Sequence, residues 1–427
     1  MHSYRPERRG RASRARRLGT AAMALALAGS VACNSLLTVD NPGRVPVEAL
    51  DDPALIPILE AASLQQFQCA FAQFVATGAM LSSEELSANG FVDNHPWEWR
   101  GEQEIKNAPG SCPTSRATTS MGFYTPLQQA RFQLDDAAAR LQTFTDEQVP
   151  NRTRILTEMR AYAGYAYLLL GEGMCQMTVD NGPPMTKADV FKIAEQRFTD
   201  AINLATSPGD ASLKNMALVG RARTRLDAGD MAGAAADAAL VPAGFVRVAE
   251  YSETTPAREN RVYNLTVRND YLSTGPDYLN LTVNGAPDPR VKVKDMNRKG
   301  SDNVTEIWQQ QKYLGSGAVP LPIASWNEAQ LILAEATGGQ AAIDAMNRVR
   351  AANGVPALVA DPASDLEPII LEERRRQLFL EGQRYPDMLR KNLPFVTGVN
   401  RKGQTFGSVT CVPLPNVETQ NNPNFKS

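Results

Sequence analysis

The sequence predicts a mostly α fold, a tetratricopeptide-like helical-repeat scaffold with irregular loop regions and a small β-hairpin. Three observations predict it. Apolar residues recur at three- and four-residue spacing in paired segments separated by Gly, Pro, Asn or Asp turns. Small residues line the facing sides of those pairs, which lets two helices approach closely, as stacked helical repeats require. Two stretches, about 83–119 and 245–321, lack that period and carry Gly, Pro, aromatic or strand-forming residues instead.

The first helical pair is expected at about Phe123–Gln142 and Arg152–Leu170, turning at Pro150-Asn151, with Leu156, Met159, Ala163, Ala166 and Leu170 as one stripe. The second runs from about Lys187 to Ala205 and from Leu213 to Leu226, broken by Ser207-Pro208-Gly209-Asp210. From Leu213 to Leu240, small residues flank an Ala228-Gly229-Asp230 turn. A related piece, Trp326–Asn353, turns at Gly338-Gly339. Repeats therefore cover about 120–240 and 322–391. In the second irregular region, Asn264-Leu265-Thr266-Val267 and Asn280-Leu281-Thr282-Val283 recur 16 residues apart. Alternating residues around Asn269-Asp270 and Gly275-Pro276 predict a small hairpin, packed by Tyr263, Tyr271 and Tyr278. No linker divides the chain, so a single domain is expected over residues 33–427.

Near the C-terminus, Leu371, Leu378, Gly382, Tyr385 and Leu389 share helical spacing and predict one buried face. Glu381 with Arg384, and Arg384 with Asp387, lie three apart and are expected to pair. Pro386 lacks an N–H and predicts a kink or boundary.

The N-terminus reads as a targeting segment. Seven arginines precede an apolar run from Leu18 to Val31 that is too short to span a bilayer as a mature helix. It ends in Gly29-Ser30-Val31-Ala32-Cys33, a lipobox-like pattern. Residues 1–32 are thus expected to be a lipoprotein signal peptide, with lipid carried on Cys33. Removing them takes away seven Arg and one Glu and moves the formal charge from −2 to −8. An acidic chain argues against nucleic acid, whose phosphates need Lys and Arg. It also argues against electrostatic adhesion to anionic lipid, so the acyl chains must anchor it.

Cys69, Cys112, Cys175 and Cys411 remain, in an exported chain where disulfides form. Three connectivities exist. Cys69–Cys112 with Cys175–Cys411 is favoured, because the first pair shares the N-terminal region. No spacing resembles a CxxC pair, so no zinc or redox site is expected. His95 is the one histidine after residue 32, which excludes a multi-histidine metal site and leaves a Ser-His-Asp or Cys-His arrangement only that base. No local carboxylate pair stands out as a glycosidase site. Neither catalysis, metal nor cofactor is expected.

Glu372–Asp387, EERRRQLFLEGQRYPD, followed by CVPLPNVETQNNPN (Cys411–Asn424), resembles the C-terminal signature of the SusD/RagB family. Arg375, Arg376, Leu378, Glu381, Gly382, Arg384, Asp387, Leu389 and Arg390 match, as do Pro413, Pro415, Asn422, Pro423 and Asn424. Gln377 stands where the family usually has an acid, and Pro386 where it usually has an aromatic residue. Further patches resemble the family at Thr157–Gly173, Asn181–Thr186, Leu331–Ala336 and Ala345–Gly354. Asp288-Pro289-Arg290 resembles a recurrent structural turn. The resemblance implies a SusD-like scaffold of four helix pairs, with an irregular face for ligand and transporter. It implies an outer-membrane lipoprotein that captures an oligosaccharide or peptide for a SusC-like TonB-dependent transporter. Asn34 permits outer-membrane delivery. Asn34-Ser35-Leu36-Leu37 lacks the acidic run of many surface-exposed relatives, so surface display is expected from the family alone.

The ligand residues are read from aromatic clustering. In Phe91–Arg100, Trp97 and Trp99 lie two apart, a spacing that in a loop puts both rings on one surface. A sugar's C–H face stacks on such rings while polar side chains bind its hydroxyls. Phe91, Asn94, Trp97, Trp99 and Arg100 are the candidates, with Trp308 and Tyr313 completing the surface. Two other classes compete: a helical-repeat lipoprotein that scaffolds envelope assembly, and a secreted hydrolase that uses carboxylates.

Overall fold

The structure, a computed structural model, describes residues 47–425 apart from 93, 118 and 119. The signal segment and Cys33 lie outside the described residues. A 3-10 turn, Val47–Asp51, belongs to an N-terminal unit, Met1–Asp52; all that follows concerns the unit Pro53–Ser427.

Thirteen α-helices of five or more residues carry the fold in that unit: α1 Ile56–Leu81, α2 His95–Trp99, α3 Glu102–Asn107, α4 Tyr124–Thr143, α5 Arg152–Gly173, α6 Lys187–Leu204, α7 Ala211–Ala228, α8 Met231–Ala239, α9 Trp326–Thr337, α10 Gly339–Ala352, α11 Glu367–Gln377, α12 Arg384–Arg390 and α13 Asn416–Asn421. The mostly α helical-repeat expectation holds. The predicted pairs appear within a few residues of their expected ends, and their turns carry left-handed residues at Asn151, Gly229 and Gly338. Close approach is real as well: the Phe198 ring of α6 sits 2.6 Å from where a Cβ on Gly164 would stand, and 2.4 Å from one on Gly220. Any larger residue there would push α5 or α7 off α6.

The longest helix, α1, is absent from the predicted pairs. From Cys69 to Leu81 every residue is buried, so this stretch has no polar face to reveal a helical period. It packs on α4 and supplies Phe67, Phe71 and Phe74 to the main core.

The strands are short: β1 Glu85–Ser87, β2 Val246–Ala249, β3 Leu272–Thr274, β4 Thr282–Val283, β5 Ala286–Pro287, β6 Val293–Lys299, β7 Glu306–Gln310 and β8 Leu321–Ser325. They pair antiparallel as β1–β3, β2–β8, β4–β5 and β6–β7. The predicted hairpin is displaced. Asn264–Arg268 coils into a π turn, and the tight hairpin is β4–β5, turning on Asn284 and Gly285, both at positive φ. Asn-Gly is the stronger hairpin turn because both residues tolerate that conformation. Of the three tyrosines, Tyr278 is buried against Phe379 and Tyr271 lies against Phe91.

Two further expectations are corrected near the C-terminus. The helix does not run through to Leu389. It stops at Gln377, and Leu380 and Gly382 turn left-handed before α12 begins. Pro386 lies in the first turn of α12, where its missing N–H is tolerated, so of the two expected outcomes it marks a helix boundary rather than a kink. Asp387 takes Arg374 at 2.8 and 2.9 Å and Arg390 at 2.9 Å rather than Arg384, and Glu381 takes Lys312 at 2.6 Å. Disulfides join Cys69 to Cys112 and Cys175 to Cys411.

Candidate ligand-binding surface

The first irregular region meets the second through β1 and β3, with Glu85 opposite Thr274 and Ser87 opposite Leu272. Ser273 then ties in β7: its Oγ donates to the Glu306 carbonyl at 2.7 Å and accepts the Trp308 N–H at 2.9 Å. Just past β1, the Ala88 N–H and the Asn89 amide both donate to the Tyr271 carbonyl at 2.8 Å. That fixes Phe91, whose ring meets Tyr271 edge-on at 5.1 Å. The β6–β7 turn presses on this segment at Gly300, where a Cβ would stand 2.0 Å from the Ala88 carbonyl oxygen.

A third segment, 395–407, locks the face from the C-terminal side. Arg401 reaches the buried Glu98 carboxylate at 2.5 Å and also the Ser87 carbonyl; the Ser87 N–H donates to Glu98 at 2.8 Å. Lys402 donates to the Asn89 carbonyl at 2.9 Å and pairs with Asp302 at 2.8 Å. Burial would raise the Asp302 carboxyl, but Lys402, the Thr305 hydroxyl and backbone N–H groups outweigh it and hold it down at about 2. His95 Nε2 sits 2.6 Å from the Asn89 carbonyl and 3.3 Å from Lys402. Glu98 and Asp302 are thus each paired with a cation inside the protein.

The predicted residues divide by burial. Phe91 is 41% exposed, and Trp99 and Trp308 are half-buried. Trp97 is 1% exposed and packs near Phe123, so it belongs to the core. The reason is local. Segment 95–99 is a helical turn rather than a loop, and residues two apart on a helix point about 200° apart. Trp97 and Trp99 therefore cannot share one surface. Arg100, left-handed at the end of α2, is 2% exposed. It lies about 5 Å from the Phe395 and Phe406 rings and donates to the Val396 and Gly407 carbonyls at 2.7 and 3.0 Å. Asn94 is buried. Tyr313 is buried, with its hydroxyl on the Leu380 carbonyl at 3.2 Å. These four hold the fold. Tyr271 is expected from the sequence only as hairpin packing, and Arg401 and Lys402 are not singled out at all. Tyr271 had a local signal, an aromatic beside Asn269-Asp270; the two cations had none, because their partners lie about 300 residues away.

The side chains Asn94, Trp97 Nε1 and Trp99 Nε1 are buried without a hydrogen-bond partner among the described residues. A groove of about 600 Å³ between α4, α5 and α6, lined by Arg131, Phe132, Tyr167 and Arg197, shares no residue with this face. Among the described residues no group of three or more His, Cys, Asp or Glu could hold a metal ion, and no helix is long and apolar enough to cross a membrane.

Comparison with curated protein sequences gives no match. Solved structures do resemble the chain. A SusD-like carbohydrate binding protein from Bacteroides vulgatus is 13% identical, with 87% of this chain and 97% of that one covered at a TM-score of 0.65. Surface glycan-binding protein A from Bacteroides thetaiotaomicron, solved with laminarihexaose, is also 13% identical, with 88% and 98% covered at 0.63. A laminarin binding SusD-like protein is 16% identical, with 84% and 96% covered at 0.60. At such identities the likeness is one of fold. The SusD family model matches residues 248–427, the stretch that holds β6, β7 and the Arg374–Asp387–Arg390 cluster. Residues 248–427 thus match the SusD family in sequence, and the chain shares the fold of SusD-like proteins.

Proposed function

We propose that this protein is a lipid-anchored outer-membrane binding protein that captures an oligosaccharide and delivers it to a SusC-like TonB-dependent transporter. The observation that carries the reading is the face around Phe91, Trp99 and Trp308. These partly exposed rings accompany a network in which Glu98 and Asp302 are already paired with Arg401 and Lys402, so a neutral ligand need not neutralise either carboxylate. Pyranose C–H faces stack on such rings. Related proteins with the same fold carry names that state laminarin and laminarihexaose binding. A peptide is the competing ligand.

The protein performs no chemistry in this reading. Glu84 and Glu85, two of the carboxyls that burial raises, lie next to β3 but are each 1% exposed and cannot reach a substrate on this face. Cys33 would tether the chain while it opens and closes on the transporter.

The test is binding by protein lacking residues 1–33 to arrayed glycans and peptides, beside a folded Trp99→Ala/Trp308→Ala variant. Each ring is worth roughly 1 kcal/mol of stacking, so the double variant should bind a captured glycan about 30-fold more weakly. Full affinity in the variant would remove the ligand from this face. Binding to peptides alone would replace the sugar reading.

A further inference from the structure

A second aromatic groove opens at the mouth of the β2–β8 pair, where β2 meets the start of α9. Trp326, the first residue of α9, is half-buried, and its N–H donates to the Phe245 carbonyl at 2.8 Å. Phe245, also half-buried, lines the same groove, which has a volume of about 450 Å³. Such a volume lies in the usual range for small-ligand sites. Asn327, Gln377 and Glu381 bring amide and carboxylate groups to its wall.

One of these groups is unsatisfied. Gln377 is 8% exposed, and its Oε1 is buried without a hydrogen-bond partner among the described residues. Its Nε2 has only a 3.5 Å contact with Asn353. A buried amide left this way costs about 1–3 kcal/mol unless something binds it. None of the groove's lining residues is Lys or Arg, and Glu381 is present, so the chemistry disfavours an anion. Two aromatic rings, amides and a carboxylate form the set that binds a neutral sugar ring by stacking and hydroxyl hydrogen bonds.

We infer that this groove, with Trp326 and Phe245 as walls and Gln377 and Asn327 as hydroxyl partners, is a second saccharide-binding site, separate from the face around Trp99 and Trp308. The inference rests on the saccharide reading of the protein. A chain with two sites would hold one glycan at two points, or two glycans at once.

The test uses ¹⁹F NMR of protein lacking residues 1–33 with every tryptophan replaced by 5-fluorotryptophan. Tryptophan resonances are assigned by single Trp→Phe variants and titrated with laminarihexaose, maltohexaose and xylohexaose. The expected result is that at least one hexasaccharide moves the Trp326 resonance, and still does so in Trp308→Ala. Gln377→Ala and Asn327→Ala, which keep the Trp326 probe, should raise the half-saturation of that shift about tenfold each. Movement at Trp99 or Trp308 with Trp326 unmoved at saturation overturns the second site and leaves the first intact. Movement at Trp326 alone supports the groove and removes the ligand from the other face. No movement at any resonance overturns both.

Discussion

The cluster around Asp387 and the face around Phe91 use the same residue types to opposite ends. At Asp387, Arg374 and Arg390 close on one carboxylate, Arg390 continues to Glu335, and Arg223 grips Glu172 at 2.5 and 2.7 Å. These charges lie between α5, α7, α9, α11 and α12 and meet one another rather than solvent. At the Phe91 face, Glu98, Arg401, Asp302 and Lys402 also saturate each other, but they do so beneath rings that stay half-exposed. The first cluster makes helices register. The second makes a floor on which aromatic side chains can wait for a partner. The residues of the C-terminal motif, Asp387 and Arg390 among them, therefore hold helices together, while the proposed ligand face is built where the chain is irregular.

The comparison breaks most readily at Asp387. Removing one member of a buried ion cluster leaves its arginines uncompensated, which costs about 3–5 kcal/mol. Asp387→Ala should lower the unfolding free energy by about that much in urea, with glycan affinity unchanged in the fraction still folded. Burial raises the Asp387 carboxyl, but Arg374 and Arg390 outweigh it and bring it down to about 2. Its contribution is therefore full above the ordinary Asp range near pH 4 and is lost as pH falls toward 2. A variant that loses less than about 1 kcal/mol would mean the cluster is ornamental.

Glu84 sharpens the contrast, because it is buried with the opposite sign. Burial lifts its carboxyl to about 7, against the Leu380 N–H and nearby Arg384 and Lys312. A raised carboxyl binds a proton more tightly folded than unfolded. Stability should then fall as pH rises from about 4.5 to about 7 and level off above that. Glu84→Gln should be more stable than wild type by on the order of 3 kcal/mol at pH 8 and equal to it at pH 4, in paired urea melts. An unchanged difference across that range would mean Glu84 is ionised in the fold.

The smallest effect belongs to the exposed face. Phe91→Ala should change stability by less than about 1 kcal/mol, since much of the ring already meets water, yet weaken glycan binding about threefold. A large stability loss with no change in affinity would make Phe91 part of the floor.

Much of the scaffold was legible from the chain, because most of α4 to α10 carry apolar and polar residues at helical period, while α5, buried nearly all round, is opened by the Pro150-Asn151 turn. α1 was not, since a helix buried on all sides loses that period. The candidate site was half legible. Aromatic clustering located the segment, but reading 95–99 as a loop paired Trp97 with Trp99, and one helical turn separates them. Arg401 and Lys402 could not be found locally, because what gives them a role is Glu98 and Asn89 at the other end of the sequence.

That separation has a consequence for how the molecule is made. The pairs Arg401–Glu98 and Lys402–Asn89 and the bond Cys175–Cys411 all join early residues to the last tenth of the chain. Contacts so distant in sequence form late. During synthesis, the segment holding Phe91 and Trp99 must wait, unclamped, until residues 395–407 have been made. A chain truncated before residue 395 could still build its helix pairs but would lack the clasp over Glu98 and Arg100. Closure of the Phe91 face thus depends on the segment 395–407 being present.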